Sequence, residues 1–275
     1  MQDKTSKTPV VDFHAHIFPD ALATRAIETL AAGTDEAKPH TDGRLSGLLD
    51  SMDRAGIDHS VICSIATKPA QFDPILKWSV QIQSERITPL ASVHPTDPEL
   101  CNRPAQIKAA GIKGIKLHPY YQDFFLDDEK LYPFYQAVSD EGLLLVSHTG
   151  FDIAFPRVRR CDPVRISQLL RDFPRLLLIT THLGGWMDWD EVERHLIGHP
   201  VYMEISFAHT LDQIRMRDML QRHPQEYLLF GTDSPWNDQA ATLSHIRALG
   251  LEPAREAALL GGNAWRLLHP RQRNG

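Results

Sequence analysis

Val10-Val11-Asp12-Phe13-His14-Ala15-His16 is the stretch on which the reading of this chain turns. It opens with apolar, β-favouring residues and ends in two histidines one residue apart. Side chains alternate faces along a strand, so His14 and His16 point the same way, with Cα atoms ~7 Å apart. Two imidazoles so placed suit a shared metal ion. With 14 histidines in 275 residues, roughly one such pair arises by chance, so its weight comes from its companions. Four further polar residues, Lys116, His148, His182 and Asp233, each stand at or just beyond the end of an apolar run.

Those runs recur along the whole chain. After the first, strands are expected at 59–65, 87–93, 112–117, 143–148, 176–181, 201–206 and 227–230. Between them, helical periodicity is expected over 21–32, 42–55, 72–85, 127–140, 163–172, 189–196 and 211–222. The stretch 97–110 is only partly helical, because Pro98 and Pro104 interrupt it. Two closing helices are expected over 239–249 and 253–268, and a break over 33–39. Eight strands alternating with helices predict a single-domain (β/α)₈ TIM barrel over residues 1–275. The strands are continuous apolar runs, as parallel strands buried on both faces should be. An open doubly wound sheet is the structural alternative. Only a barrel brings eight strand ends around one mouth, where Lys116, His148, His182 and Asp233 would meet the first pair.

Composition narrows the function classes. Hydrophobic content is 42%, charged content 23% and net charge −6, with no block of like charge. Arg157, Arg159 and Arg160 form the one short basic cluster, too small for a nucleic-acid footprint. Its plain reading is a solvated loop, with a carboxylate clamp as the alternative. Cys63, Cys101 and Cys161 are odd in number and widely spaced, which suggests a reducing cytoplasm. The stretch Met1 to Thr8 is polar, without the apolar core of a secretory leader, and no run approaches the ~20 apolar residues of a membrane span. The expected partner is a small-molecule substrate, not nucleic acid or membrane, with a homo-oligomer left open.

His14, His16, His148 and Asp233 offer nitrogen and oxygen donors suited to a divalent metal, zinc first, with manganese or iron as alternatives. Asp233 could both ligate and take a proton from the water. His182 would be a further ligand, or would polarise a substrate carbonyl. Lys116 would meet a substrate carboxylate or pair with an acid. Each has a plainer reading: histidines satisfied by backbone, and Asp233 as the N-cap of the helix after Pro235. His94 and His118 read as supporting residues, and His195, His199 and His223 as surface ones. Tyr120, Tyr121, Phe124, Phe125, Trp186, Trp189 and Trp236 fall in loops after strands, where loop packing and a substrate wall are equally good readings.

At this point the chain resembles a known family, the amidohydrolase superfamily in its amidohydrolase 2 branch. The matching pieces run in order: Asp12-Phe13-His14-Ala15-His16, Gly114-Ile115-Lys116-Leu117-His118-Pro119, Ser147-His148-Thr149-Gly150, Thr181-His182-Leu183-Gly184-Gly185, Gly231-Thr232-Asp233-Ser234-Pro235-Trp236 and Gly262-Asn263-Ala264-Trp265-Arg266-Leu267-Leu268. The resemblance implies His14, His16 and His148 as metal ligands, Asp233 as ligand or base, and His182 as catalytic or a further ligand. It also implies one of several reactions: hydrolysis of C–N or C–O bonds, decarboxylation like that of aminocarboxymuconate-semialdehyde decarboxylase, or hydration. The superfamily's binuclear members imply, as an alternative, a Lys116 that becomes carboxylated and bridges two ions, whereas the decarboxylase-like part of the branch implies one ion and an unmodified Lys116. The reaction expected first is hydrolysis of a small carboxylate-bearing, lactone or amide substrate. The alternatives are a lyase acting on an unsaturated acid and a barrel that only binds.

Overall fold

The computed structural model describes residues 8–33 and 38–270. Most of the polar N-terminal stretch and the centre of the expected break, 34–37, lie outside the described residues. Eight strands form: β1 Val11–Ala15, β2 His59–Cys63, β3 Ile87–Leu90, β4 Gly114–Leu117, β5 Leu144–Ser147, β6 Leu177–Thr180, β7 Tyr202–Glu204 and β8 Leu228–Leu229. All neighbouring strands pair in parallel, in two runs, β1 to β3 and β4 to β8. The runs close on each other. Ala91 N donates to Gly114 O at 3.0 Å and Lys116 N to Ala91 O at 2.8 Å on one side. Phe13 N donates to Phe230 O at 2.8 Å on the other, where Ala15 bridges Ser234. A closed ring has no free edge, which decides for the barrel over the open sheet.

The helices are α1 Asp20–Ala31, α2 Leu45–Ala55, α3 Phe72–Ile82, α4 Arg103–Ala109, α5 Tyr132–Asp140, α6 Pro163–Asp172, α7 Trp189–His195, α8 Gln213–Arg222, α9 Gln239–Ala248, α10 Pro253–Ala257 and α11 Asn263–Leu268. Their starts have local causes. Asp162 accepts from Val164 N at α6, with Pro163 in the first turn, and Asp212 accepts from Ile214 N and Arg215 N at α8. Gly56, at φ 72°, ends α2 in the left-handed region. Among the described residues, no helix is long and apolar enough to cross a membrane.

Alternation along the strands divides the core into two layers. Ile62, Ile115, Leu117, Leu145 and Leu178 face the helices, while Val61, Leu144, Val146, Ile179 and Leu229 fill the barrel. The interior is packed and is not a channel. β1 departs from the rule, because its register against β2 shifts between Asp12 and Ala15. Before the bulge Val11 and Phe13 point inward and Asp12 outward; after it Ala15 joins the outer layer. His14 and His16 therefore turn into the barrel mouth.

Several elements are a few residues shorter than expected, and three stretches differ most. The helix at 97–110 shrinks to α4, because Asp97 takes Glu99 N at 2.8 Å and Arg103 Nε at 3.1 Å in a turn of its own. The helix at 127–140 begins at Tyr132, after a 3₁₀ turn over Glu129–Leu131 opened by Asp128. The expected closing helix 253–268 is α10 and α11 joined by a π-helical turn over Ala258–Gly262. There Gly261 lies so close to Pro9 that a Cβ would overlap its carbonyl.

Candidate metal and active site

Three donor atoms meet at the mouth. His14 Nε2 is 3.2 Å from His16 Nε2, and Asp233 Oδ1 is 2.9 Å from His16 Nε2 and 3.5 Å from His14 Nε2. Donors 2.0–2.1 Å from one ion stand ~2.9 Å apart in an octahedron and ~3.3 Å apart in a tetrahedron. Two of the three edges fall in that range, and the third, His14 Nε2 to Asp233 Oδ1 at 3.5 Å, lies just above it. Asp233 Oδ1 is buried and makes no hydrogen bond, despite its closeness to the two imidazoles. A buried carboxylate oxygen left without a proton donor fits a cation as its partner.

Asp233 does not reach the mouth by strand alternation, since β8 ends at Leu229. It sits at φ 60°, in the left-handed region, held by a bond from its own N to His14 O at 2.6 Å and one from His16 N to Ser234 O at 2.5 Å. His182 is likewise left-handed, at φ 57°. Such backbone is costly for residues with side chains and persists where the surroundings fix it. The N-cap of α9 is Asp238, so the capping reading of Asp233 falls away.

Lys116, fully buried on β4, places Nζ 3.0 Å from His14 Nε2. His182 Nε2 lies 3.1 Å from His148 Nδ1. His148 Nε2 donates to Phe151 O at 3.0 Å, so this ring is tied to the loop after β5 and meets the others through His182. His118 stacks on His148 with centroids 4.2 Å apart and planes 16° apart, and its Nε2 is 3.4 Å from Asp152 Oδ2. Parallel rings aim their in-plane lone pairs side by side, so His118 and His148 do not converge on one ion as they stand. His94 turns aside to Thr96 Oγ1 at 2.9 Å.

Burial dominates the electrostatics. It pushes His14, His118, His148 and His182 well below the usual imidazole range, helped by the Lys116 charge in each case. Neutral imidazoles result, the form in which histidine binds a metal.

The sequence reading passed over Glu204 and Ser206. Glu204, at the end of β7, is fully buried and sets Oε2 2.9 Å from His14 Nδ1 and 2.9 Å from Ser206 Oγ. Burial pushes its carboxyl up to about 8, against the hydrogen bonds from Ser206. Gly231 makes its space, since a Cβ there would overlap the carboxylate. A signal did exist: Asp12 and Glu204 are the acids that fall inside expected strand runs.

The mouth loops divide. Tyr120 is buried, with its hydroxyl donated to Val158 O at 2.6 Å; Trp189 is buried and donates to His182 O at 3.3 Å; Phe124 is buried too. These three pack loops. Tyr121, Trp186 and Trp236 are half-buried, and Phe125 is exposed beside the Arg165 guanidinium. Arg159 pairs with Asp188 at 2.8 Å and Arg160 with Asp123 at 2.7 Å, so those charges already have carboxylates. His199 is exposed as expected, and His195 is half-buried near Glu191. His223 is a correction. It is fully buried under α8, with Nε2 donated to Val201 O at 2.9 Å.

Comparison with known proteins agrees with this architecture. A family profile described as "Amidohydrolase" matches residues 11–269. The curated dihydroorotase of Vibrio vulnificus (strain YJ016) is 29% identical over 111 residues, which are 37% of this chain and 32% of that protein. The match thus spans about a third of that relative's length. Among solved structures, an uncharacterized TIM-barrel protein from Bordetella bronchiseptica has a TM-score of 0.77 at 20% identity, covering 94% of this chain and 98% of that one. A probable 2-pyrone-4,6-dicarboxylic acid hydrolase from Acinetobacter baumannii, solved with citric acid bound, has a TM-score of 0.67 at 16% identity, covering 94% and 98%. The 5-carboxyvanillate decarboxylase of Sphingomonas paucimobilis has 0.66 at 16%, covering 95% and 99%. At these identities the structural likeness speaks for the (β/α)₈ fold.

Proposed function

We propose that this chain, which belongs to the amidohydrolase family, is a metal-dependent hydrolase of a small carboxylate-bearing molecule, lactone or amide. The observation that carries the reading is the donor triplet of His14, His16 and Asp233, with its unpartnered carboxylate oxygen. These three and His148 would hold the ion, zinc first, with manganese or iron as alternatives. A divalent ion there would polarise a carbonyl and lower the pKa of a water toward about 7.

The chain's own groups do the rest. Asp233 takes the proton of the attacking water and returns it to the leaving oxygen or nitrogen. His182 faces the same space with a bare Nε2, so it would serve as a further ligand or take a proton from the attacking water. Lys116 draws in a substrate carboxylate by its charge. A second reading, loss of CO₂ from an unsaturated acid, is supported by the decarboxylase among the structural neighbours. In that case the C–CO₂ bond breaks, its electron pair stays on carbon, and a proton taken up from solvent reaches that carbon through Asp233 or through His182 Nε2.

An activity screen of lactones, amides and unsaturated mono- and dicarboxylic acids, with the metal-loaded protein, separates these. Hydrolysis without CO₂ release is expected. Asp233→Asn should lower kcat by ~10²-fold or more, and Lys116→Ala should raise KM for acids while sparing neutral substrates. Release of CO₂ without water uptake would replace hydrolysis by the lyase reading. Equal turnover of acids and neutral compounds, with KM unchanged in Lys116→Ala, would end the carboxylate assignment.

A further inference from the structure

The end of β7 and the turn after it contribute two side chains to the interior: Glu204 and, two residues on, Ser206. Both are fully buried, and they touch rings from two different strand ends. Glu204 Oε2 accepts from His14 Nδ1 at 2.9 Å. Ser206 Oγ donates to the same Oε2 at 2.9 Å, and Ser206 N donates to Glu204 Oε1. On its other side Ser206 Oγ lies 2.9 Å from His182 Nδ1, and Ser206 O lies 3.3 Å from that nitrogen. A backbone carbonyl can only accept, so His182 carries its proton on Nδ1. His14 does the same, because Lys116 Nζ, which can only donate, lies 3.0 Å from its Nε2 and leaves the ring proton on Nδ1, toward Glu204. In both rings the lone pair is then left on Nε2, the atom turned toward the mouth.

We infer that Glu204 and Ser206 form one positioning unit that sets the tautomer and orientation of both His14 and His182. The inference rests on the metal reading above and assigns different tasks to the two residues. Glu204 holds His14 as a ligand and raises its basicity, as carboxylates behind metal-bound histidines do. Ser206 links that carboxylate to His182, which faces substrate. Gly231 belongs to the unit through space alone, since only an absent Cβ leaves room for the carboxylate where it stands.

Chelator competition for Zn²⁺ tests the first task without any turnover. The near-isosteric Glu204→Gln should weaken zinc about tenfold, and Glu204→Ala by up to ~100-fold. Gly231→Ala, which displaces the carboxylate without removing it, should follow Glu204→Gln. Ser206→Ala should keep zinc within about threefold of the parent, yet lower kcat about tenfold with little change in KM, because His14 keeps its 2.9 Å bond to Glu204 while His182 loses the hydroxyl and keeps only the longer contact to Ser206 O. The tautomers can also be read in the unsubstituted protein, from the ¹⁵N shifts of His14 and His182. Nδ1–H on both rings is expected. Parent-like zinc affinity in both Glu204 variants, or Nε2–H on either ring, overturns the inference and leaves the metal reading intact. A parent protein that holds no zinc against the chelator overturns both.

Discussion

Burial acts on His223 without any metal donor nearby, which makes it the reference for every other imidazole in this fold. Burial pushes its pKa down to about 4, and the nearby Arg255 charge works in the same direction against the Val201 hydrogen bond. The unfolded chain therefore binds a proton at a pH where the folded chain does not. Stability from the neutral ring is complete above about pH 6.5 and falls as pH drops toward 4. At pH 5 the loss is on the order of 2 kcal/mol. Urea unfolding of the parent and of His223→Gln at pH 7.5 and pH 5 checks it. The pH-dependent loss should be smaller in the variant by about that amount, and equal losses would show that His223 does not titrate as described. The sequence hid this residue, because a histidine near a helix end carries no mark of burial. His14, His16, Lys116, His148, His182 and Asp233 were legible, since each ends an apolar run that must be a barrel strand. Glu204 was not singled out, because its work is done toward another side chain.

At the scale of elements, β1 decides most. Its bulge turns His14 and His16 inward and leaves Asp12 facing the outer layer, where one carboxylate ties three segments together. Asp12 accepts from Thr232 N at 2.9 Å, Thr232 Oγ1 at 2.6 Å and Gln239 Nε2 at 2.7 Å, linking β1 to the loop after β8 and to α9. Removing it would leave buried donors without an acceptor. Asp12→Ala should therefore cost about 3 kcal/mol in urea unfolding, and Asp12→Asn less, since it keeps one acceptor oxygen. A cost under ~0.5 kcal/mol for Asp12→Ala would show that the tie carries no load. Apolar period located every strand and nearly every helix, but it could not foresee the bulge. Nor could it foresee the π-helical turn after α10. Both depend on which distant backbone comes close, Pro9 against Gly261 in the second case.

On the scale of the molecule, closure of the ring turns scattered residues into one site. His14 and Lys116 are 102 positions apart, yet their nitrogens are 3.0 Å apart. The fold was readable because eight runs at regular spacing leave few arrangements, and the barrel alone gathers all their ends. The reaction was not, because hydrolysis and decarboxylation ask for the same cation, carboxylate and imidazoles. The central claim is that the mouth of this barrel is a metal centre built on His14, His16 and Asp233. Elemental analysis of protein purified without added metal tests it most directly. The account predicts close to one transition-metal ion per chain, zinc first, and little in a His14→Ala, His16→Ala double variant that still folds. Metal well below one per chain in the parent, unrestored by Zn²⁺ or Mn²⁺, would contradict it.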